Sequence, residues 1–182
     1  FIRKRSSLDY IQEPDVFHDV FGHVPLLANP TIADYMETFG HGGLRAHEFG
    51  TITNLARLYW FTVEFGLMQT PKGLRIYGAG ILSSPGETVF SLEDASPNRI
   101  GFDIKRIMQT QYRVDDYQQT YFVIDSLQHL LDQTTVDFAS IYAALKKEDQ
   151  TYALDAIAPG DRVITKGTQA YARAKGKTAQ IV

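Results

Sequence analysis

The segment that most limits how this chain can fold is the apolar run from about Glu48 to Leu67, which contains the stretch TITNLARLYWFTVEFGL. Its length and composition predict a long helix in the core. Glu64 lies near the end of this helix. Trp60 and Leu67 share its helical face and are apolar, which weakens the alternative of a solvent-exposed stripe. A glutamate in such surroundings is expected to be paired, protonated or bound to a cation.

A second stretch, Glu13 to Pro25 (EPDVFHDVFGHVP), holds two of the chain's five histidines in mostly apolar surroundings. His18 and His23 are separated by about 140° around an ideal helix, so a regular helix would not aim both at one ion. Pro14 predicts the first position of a helix and Gly22 its C-terminal stop. A helix that ends between the two histidines would let them converge. The alternative is that one packs in the core and the other hydrogen-bonds locally.

Together with Glu64, the two histidines His18 and His23 would form the set that leaves positions open on ferrous iron. Zinc with two histidines, a glutamate and water is the chemical rival. The zinc-hydrolase signature H-E-x-x-H is absent, and no glutamate stands next to either histidine to serve as a general base. The pattern therefore favours iron over zinc.

The rest of the chain has mostly helical patterns. A helix is predicted for 31–39, ended by the histidine and glycines at 41–43, and a turn for 71–73. Helical patterning returns from 125 to 147, in two pieces around 132–135. Strand-like patterns occupy 74–87 (LRIYGAGILSSPGE), 111–114 and 120–124. We expect a mainly α fold with a few short β-strands, in one domain over 1–182 whose tail, 159–182, is weakly patterned.

Composition excludes several classes of function. The 182 residues carry a net charge of −3, which gives no electrostatic case for nucleic acid or an anionic membrane. No apolar run approaches the ~18 residues of a membrane span, and no signal-peptide pattern is present. The chain has no cysteine, so thiolate sites and disulfides are excluded and a cytoplasmic location is expected. It begins at Phe1, as if an N-terminal part were missing.

Three blocks carry a family resemblance. The chain resembles the pterin-dependent aromatic amino acid hydroxylases in three blocks, which occur in the family's order and at its intervals: EPDVFHDVFGHVPL, LYWFTVEFGL and IYGAGILSSPGE. The sequence resembles most the bacterial members that act on phenylalanine. The resemblance covers roughly Phe1 to Leu145. It implies the catalytic-domain fold of that family and a mono-oxygenase that converts phenylalanine to tyrosine. Tyrosine or tryptophan hydroxylation, a zinc hydrolase and an inactive metal-binding fragment are the alternatives.

The same resemblance implies the members of the site. Ferrous iron would be held by His18, His23 and Glu64. Arg3 would grip the substrate carboxylate, although alone it fits a solvated charge run with its two neighbours. The other residues implied at the substrate are Pro14, Trp60, Phe65, Ser83 and Glu87, and those implied at the tetrahydropterin are Asp19, Ala56 and Tyr59.

The expected small-molecule partners are L-phenylalanine, dioxygen and the reduced pterin. The aromatic residue on which the family stacks its pterin lies upstream of the resembling region and is not in this sequence. No long heptad repeat follows the core, so a monomer is expected.

Overall fold

The computed structural model describes residues 1–176 and 180–182. Within them the strands form one five-stranded sheet in the order β2-β1-β4-β3-β5. β1 and β2 are an antiparallel hairpin joined at the predicted turn, β1–β4 and β3–β4 are parallel, and β5 pairs antiparallel with β3. The strands are β1 Leu67–Thr70, β2 Gly73–Ile76, β3 Asn98–Gly101, β4 Thr120–Ile124 and β5 Val163–Thr165.

Helices pack on both faces of this sheet, which confirms the mainly α prediction. A 3₁₀ turn spans Arg5–Ser7, and π-helices span His18–His23 and Trp60–Glu64. The α-helices are α1 Val24–Leu27, α2 Pro30–Phe49, α3 Ile52–Tyr59, α4 Ala79–Leu82, α5 Pro85–Glu93, α6 Ile104–Met108, α7 Leu127–Thr134, α8 Phe138–Glu148 and α9 Ala170–Lys175. No helix in the described part of the chain is long and apolar enough to cross a membrane.

The core follows the alternation of the central strand β4, whose five residues are all buried. Phe122 packs on one face in a cluster with α3, α6 and α8, whereas Tyr121 and Val123 pack on the other face with Phe90 of α5. Burial on both faces is typical of a strand with parallel neighbours and explains its continuous apolar sequence.

The prediction that α2 ends near residues 41–43 is wrong. Asn29 caps the helix through its side chain as the sequence suggests, but the helix runs on to Phe49 and ends at Gly50, whose φ is 67°. A β-carbon at Gly42 would lie 3.1 Å from the ring of Phe138, and Tyr142 of α8 donates a hydrogen bond to the Gly42 carbonyl. Close packing against α8 thus offsets the low helix propensity of glycine.

The single helix predicted from Glu48 to Leu67 is also wrong in its bounds. Gly50 separates α2 from α3, α3 passes into the second π-helix at Trp60, and β1 begins at Leu67. In the predicted strand 74–87, only the first part is β2, and the rest forms α4 and the start of α5. Segment 111–114 contributes one isolated bridge, between Arg113 and Ile181.

The C-terminal part of the chain follows the predicted helices closely. The patterned segment 125–147 divides into α7 and α8 as expected, and β4 is confirmed. The weakly patterned tail contains β5 and α9, and the ring of Tyr171 on α9 stacks on Tyr117 with centroids 5.3 Å apart. Its residues 177–179 lie outside the described residues.

Candidate metal centre and adjoining cavities

Two histidines and a glutamate meet at one point. Nε2 of His18 lies 2.8 Å from Nε2 of His23, and the Glu64 carboxylate lies 3.5 Å from the first and 3.2 Å from the second. Ligands about 2.1 Å from a common ion at right angles would be about 3 Å apart, so these spacings suit one first-row metal ion. Within the described residues this is the only group of three such side chains close enough to hold an ion.

The first π-helix, and not a helix end at Gly22, brings the histidines together. The backbone continues as a helix through Gly22 into α1, and the amide of Val24 donates to the carbonyl of Asp19, five residues earlier. Such i→i+5 bonding places residues five apart on the same side, which the ordinary α-helix does not do. His18 and His23 therefore point to one place from an unbroken helix, which the geometry of 3.6 residues per turn did not predict.

Gly22 has a packing role instead of a terminating one. A β-carbon at this position would lie 2.8 Å from Cβ of Ala79 and 3.0 Å from its carbonyl oxygen. The absence of a side chain lets the first π-helix lie directly against α4. This contact also places His18 beside Ser83, the residue that follows α4.

The second π-helix supplies the carboxylate. Glu64 is its last residue, and the amide of Phe65 donates to the carbonyl of Trp60 at 2.8 Å in the i→i+5 pattern. All three candidate ligands thus belong to π-helical segments, which occur often at functional sites. Glu64 is mostly but not fully buried, with a side chain that is 13% exposed, and it is paired with the two histidines as the sequence suggests.

The two histidines differ in their electrostatic surroundings. Burial lowers the pKa of His18, which favours the neutral imidazole that binds metals. The hydrogen bond to Glu64 raises the pKa of His23. Two unprotonated ring nitrogens would repel each other at 2.8 Å, so the space between these rings and Glu64 suits a proton or a metal cation.

Arg3 is buried in a network with Asp15 and Ser83. Its Nε and Nη2 donate to the two carboxylate oxygens of Asp15 at 3.0 and 2.8 Å, and Nη1 donates to the Ser83 carbonyl at 2.6 Å. These hydrogen bonds from Arg3 hold the pKa of Asp15 well below its usual range. Three of the five guanidinium donors are used, which leaves two for a ligand. The alternative of a solvated charge run is wrong for Arg3.

A cavity of about 180 Å³ lies beside the ligand cluster. Five of the six residues expected at the substrate line it: Arg3, Pro14, Trp60, Phe65 and Ser83. His18 and Glu64 form its inner wall, and Tyr10 and Gln12 also line it. The rings of Trp60 and Phe65 lie 4.7 Å apart and form an aromatic side of this cavity.

A second cavity, of about 390 Å³, reaches the cluster at Glu64. Ala56 and Tyr59 line it, and it shares Trp60 and Glu64 with the first cavity. Burial, helped by the negative charge of Glu64, raises the pKa of Tyr59 to about 12. Asp19 is exposed and does not line this cavity, but its charge also acts on the pKa of Tyr59.

Comparison with known proteins supplies the family. The model for biopterin-dependent aromatic amino acid hydroxylases matches residues 1–156. The chain belongs to this family. A phenylalanine-4-hydroxylase of Caulobacter vibrioides is 61% identical over 98% of this chain, and one of Chromobacterium violaceum is 56% identical over 92% of it. The chain spans 60% and 56% of the length of these two relatives, respectively.

Solved structures of the Chromobacterium violaceum hydroxylase have the same fold. A structure described as bound to iron and phenylalanine superposes with a TM-score of 0.84 at 55% identity, over 90% of this chain and 59% of that one. A cobalt-bound structure gives a TM-score of 0.86 at 57% identity, with the same coverage. The predicted aromatic amino acid hydroxylase fold is confirmed.

Two features of this chain differ from the sequence prediction. Glu87 does not line either cavity: it is fully buried, and its Oε1 accepts hydrogen bonds from the Tyr121 hydroxyl at 2.6 Å and the Gln118 amide at 3.1 Å. Asp15, which fixes Arg3, was not predicted. The signal was an acidic residue directly before the helical turn that begins at Val16, and Oδ1 of Asp15 accepts from the amide of His18 at 3.0 Å.

Proposed function

We propose that this chain forms the iron-binding part of a tetrahydropterin-dependent mono-oxygenase that hydroxylates the ring of phenylalanine to give tyrosine. The observation that carries the proposal is that the cluster of His18, His23 and Glu64 adjoins two cavities, which share Glu64 as a lining residue. A reaction that joins an aromatic substrate and a pterin at one ion needs access from two sides. The phenylalanine-4-hydroxylase relatives support the choice of substrate.

His18, His23 and Glu64 are the residues that would hold the ferrous ion. Two neutral nitrogens and one carboxylate suit iron and leave positions open for other ligands. When bound, the iron supplies the oxygen-activating redox chemistry and the reduced pterin supplies electrons. The role of this chain is to position the reactants and to exclude most of the water around them with apolar side chains.

The smaller cavity is the proposed site for phenylalanine. The two remaining donors of Arg3 would bind the amino acid carboxylate, and the Ser83 region would help to place it. Trp60, Phe65 and Pro14 would contact the ring. The volume of about 180 Å³ exceeds the ~150 Å³ of an engineered apolar cavity that binds benzene.

The larger cavity is the proposed site for the pterin ring. Ala56 and Tyr59 provide an apolar and aromatic wall that ends at Glu64. Asp19 is exposed and does not line this cavity, but its charge acts on the pKa of Tyr59, and it would approach the pterin through water. Glu87 is proposed as a buried support below the substrate cavity and not as a contact of the substrate.

Anaerobic titration with ferrous ion followed by an assay for tyrosine tests the proposal. One iron per chain, with tyrosine formed from phenylalanine only when reduced pterin and dioxygen are present, is the expected result. Glu64→Gln should fold normally, bind iron weakly and lose nearly all turnover. Iron content and turnover equal to those of the unaltered chain in this variant would contradict the assignment.

Other outcomes would point to the alternatives. Hydrolytic activity with zinc that ferrous ion abolishes would support a zinc hydrolase. Iron without tyrosine would support a metal-binding fragment, and addition of the remaining length of a relative would show whether activity needs it. Tyrosine or tryptophan as the better substrate would change the specificity only. The monomeric state and the cytoplasmic location stay predictions.

A further inference from the structure

A pair of buried hydroxyls contacts the second π-helix where it departs from α-helical bonding. Thr62 lies within this π-helix, and its Oγ1 donates to the Leu58 carbonyl at 2.6 Å. The hydroxyl of Tyr35, on α2, lies 2.8 Å from the same Oγ1. Both side chains are 1% exposed, so water does not compete for these bonds.

The direction of the two bonds follows from the donors available. The Leu58 carbonyl can only accept, so the single hydroxyl proton of Thr62 goes to it. Tyr35 must therefore donate to Thr62. The result is a relay from the Tyr35 hydroxyl through Thr62 Oγ1 to the backbone of α3, at the turn just before the π-helix begins.

The relay lies where the backbone could form either α-helical or π-helical hydrogen bonds. In a continuous α-helix the amide of Glu64 would pair with the Trp60 carbonyl, whereas here the amide of Phe65 does so. Threonine bonding to the carbonyl four residues earlier is known to bend helices. A return to α-helical bonding would turn Glu64 by about 100°, the rotation of one residue, away from the histidines.

We infer that Tyr35 and Thr62 are positioning residues. They stabilise the π-helical hydrogen bonding of Trp60–Glu64 against α-helical bonding, and this bonding orients the Glu64 carboxylate toward the metal site. The inference rests on the proposed function only in taking Glu64 as a metal ligand. Neither hydroxyl touches substrate, cofactor or the reacting atoms. The blander explanation is that this hydrogen bond merely fills the core, as many buried hydroxyl bonds do.

The test uses Tyr35→Phe and Thr62→Val in the complete chain, because both changes remove a hydroxyl and keep the shape of the side chain. Matched controls exist for each. Tyr142 donates to the Gly42 carbonyl at 2.9 Å, and Thr134 to the Leu130 carbonyl at 2.9 Å, and both are fully buried. Tyr142→Phe and Thr134→Val therefore remove the same kind of bond from carbonyls of α2 and α7 instead of from the carbonyl of Leu58.

The first measurement is hydrogen exchange of the Phe65 amide in the metal-free protein. We expect it to be about fivefold faster in Tyr35→Phe and Thr62→Val, the change that corresponds to one lost buried hydrogen bond. The controls should leave it within twofold. The second measurement is a titration with Co²⁺, followed by the d–d absorption of the bound ion. Tyr35→Phe and Thr62→Val should bind Co²⁺ about fivefold more weakly than the parent chain and give an altered spectrum.

Each contrary result has a definite meaning. Unchanged exchange in Tyr35→Phe, or equal acceleration in the controls, would overturn the relay. Faster exchange with unaltered cobalt affinity and spectrum would overturn the positioning of Glu64. Thr62→Ser keeps the hydroxyl and should behave as the parent chain, and damage equal to that of Thr62→Val would also refute the inference. Failure of the parent chain to bind cobalt would refute the proposed function, while the exchange result would still decide the relay.

Discussion

Oγ of Ser83 lies 2.9 Å from Nδ1 of His18, while Nε2 of the same ring faces His23 and Glu64. The Ser83 hydroxyl donates its own proton to the Gly80 carbonyl at 3.2 Å. With the hydroxyl proton in that bond, Nδ1 of His18 is the donor toward Ser83. This arrangement fixes the tautomer in which Nε2 is unprotonated and free to bind a metal.

Ser83→Ala should weaken metal binding without unfolding the chain. Loss of the partner releases both the tautomer and the orientation of the His18 ring, and such losses lower metal affinity by roughly tenfold or more. Anaerobic ferrous titration of the variant measures the effect. Ser91 is also fully buried and bonds to a helical carbonyl, so Ser91→Ala is the matched control. Equal affinities for Ser83→Ala and the parent chain would show that the hydrogen bond does not orient the ligand.

Arg3→Lys should raise the KM for phenylalanine about tenfold and change kcat much less. A lysine cannot hold Asp15 through two nitrogens and still present a planar pair of donors to the substrate carboxylate. Steady-state kinetics with phenylalanine as the varied substrate measure this split. The neighbouring Arg5 is exposed, and Arg5→Lys should leave both constants unaltered. An unchanged KM in Arg3→Lys would confine Arg3 to its structural pairing with Asp15.

The sequence predicts which side chains are candidate ligands better than it predicts the backbone conformation that positions them. The charge of Glu64 among apolar neighbours and the resembling blocks point to the three side chains that the fold brings together. The π-helices were not predictable from periodicity, because their bonding depends on contacts between distant segments. Gly22 against Ala79 is such a contact. The uninterrupted α2 was missed for the same reason, since Gly42 is favoured there by the ring of Phe138 and not by local propensity.

Two helical glycines should respond to alanine with opposite signs. At Gly22 the added Cβ would lie 2.8 Å from Cβ of Ala79, so Gly22→Ala should push the first π-helix from α4 and destabilise the chain by about 1 to 3 kcal/mol. At Gly40 nothing lies within 4 Å, so Gly40→Ala should stabilise α2 by about 0.5 to 1 kcal/mol. Urea unfolding of both variants gives the two signs.

A second substitution checks the cause of the loss at Gly22. Ala79→Gly removes the atom that the new Cβ would meet, so Gly22→Ala combined with Ala79→Gly should recover part of the lost stability. Purely additive effects of the two changes would show that some other feature of Gly22, and not its contact with Ala79, matters.

Glu87→Gln should change how stability depends on pH. Burial raises the pKa of Glu87 from 4.5 to about 8, so the folded chain keeps this carboxyl neutral where the unfolded chain ionises it. Between about pH 5 and pH 8 the folded state binds one more proton, and this group therefore costs about 1.4 kcal/mol of stability for each unit of rising pH. The variant lacks this slope and keeps an oxygen that can accept from Tyr121.

Urea unfolding at pH 5 and pH 7.5 checks the expectation. Relative to Glu87→Gln, the parent chain should lose about 2 to 3 kcal/mol between the two pH values. Glu37 is an exposed acid on α2, and Glu37→Gln should leave the pH dependence of the parent unchanged. Parallel pH profiles for the parent chain and Glu87→Gln would mean that Glu87 is ionised in the folded state, and the Tyr121 hydroxyl and Gln118 amide would then be stabilising a buried carboxylate instead of a neutral acid.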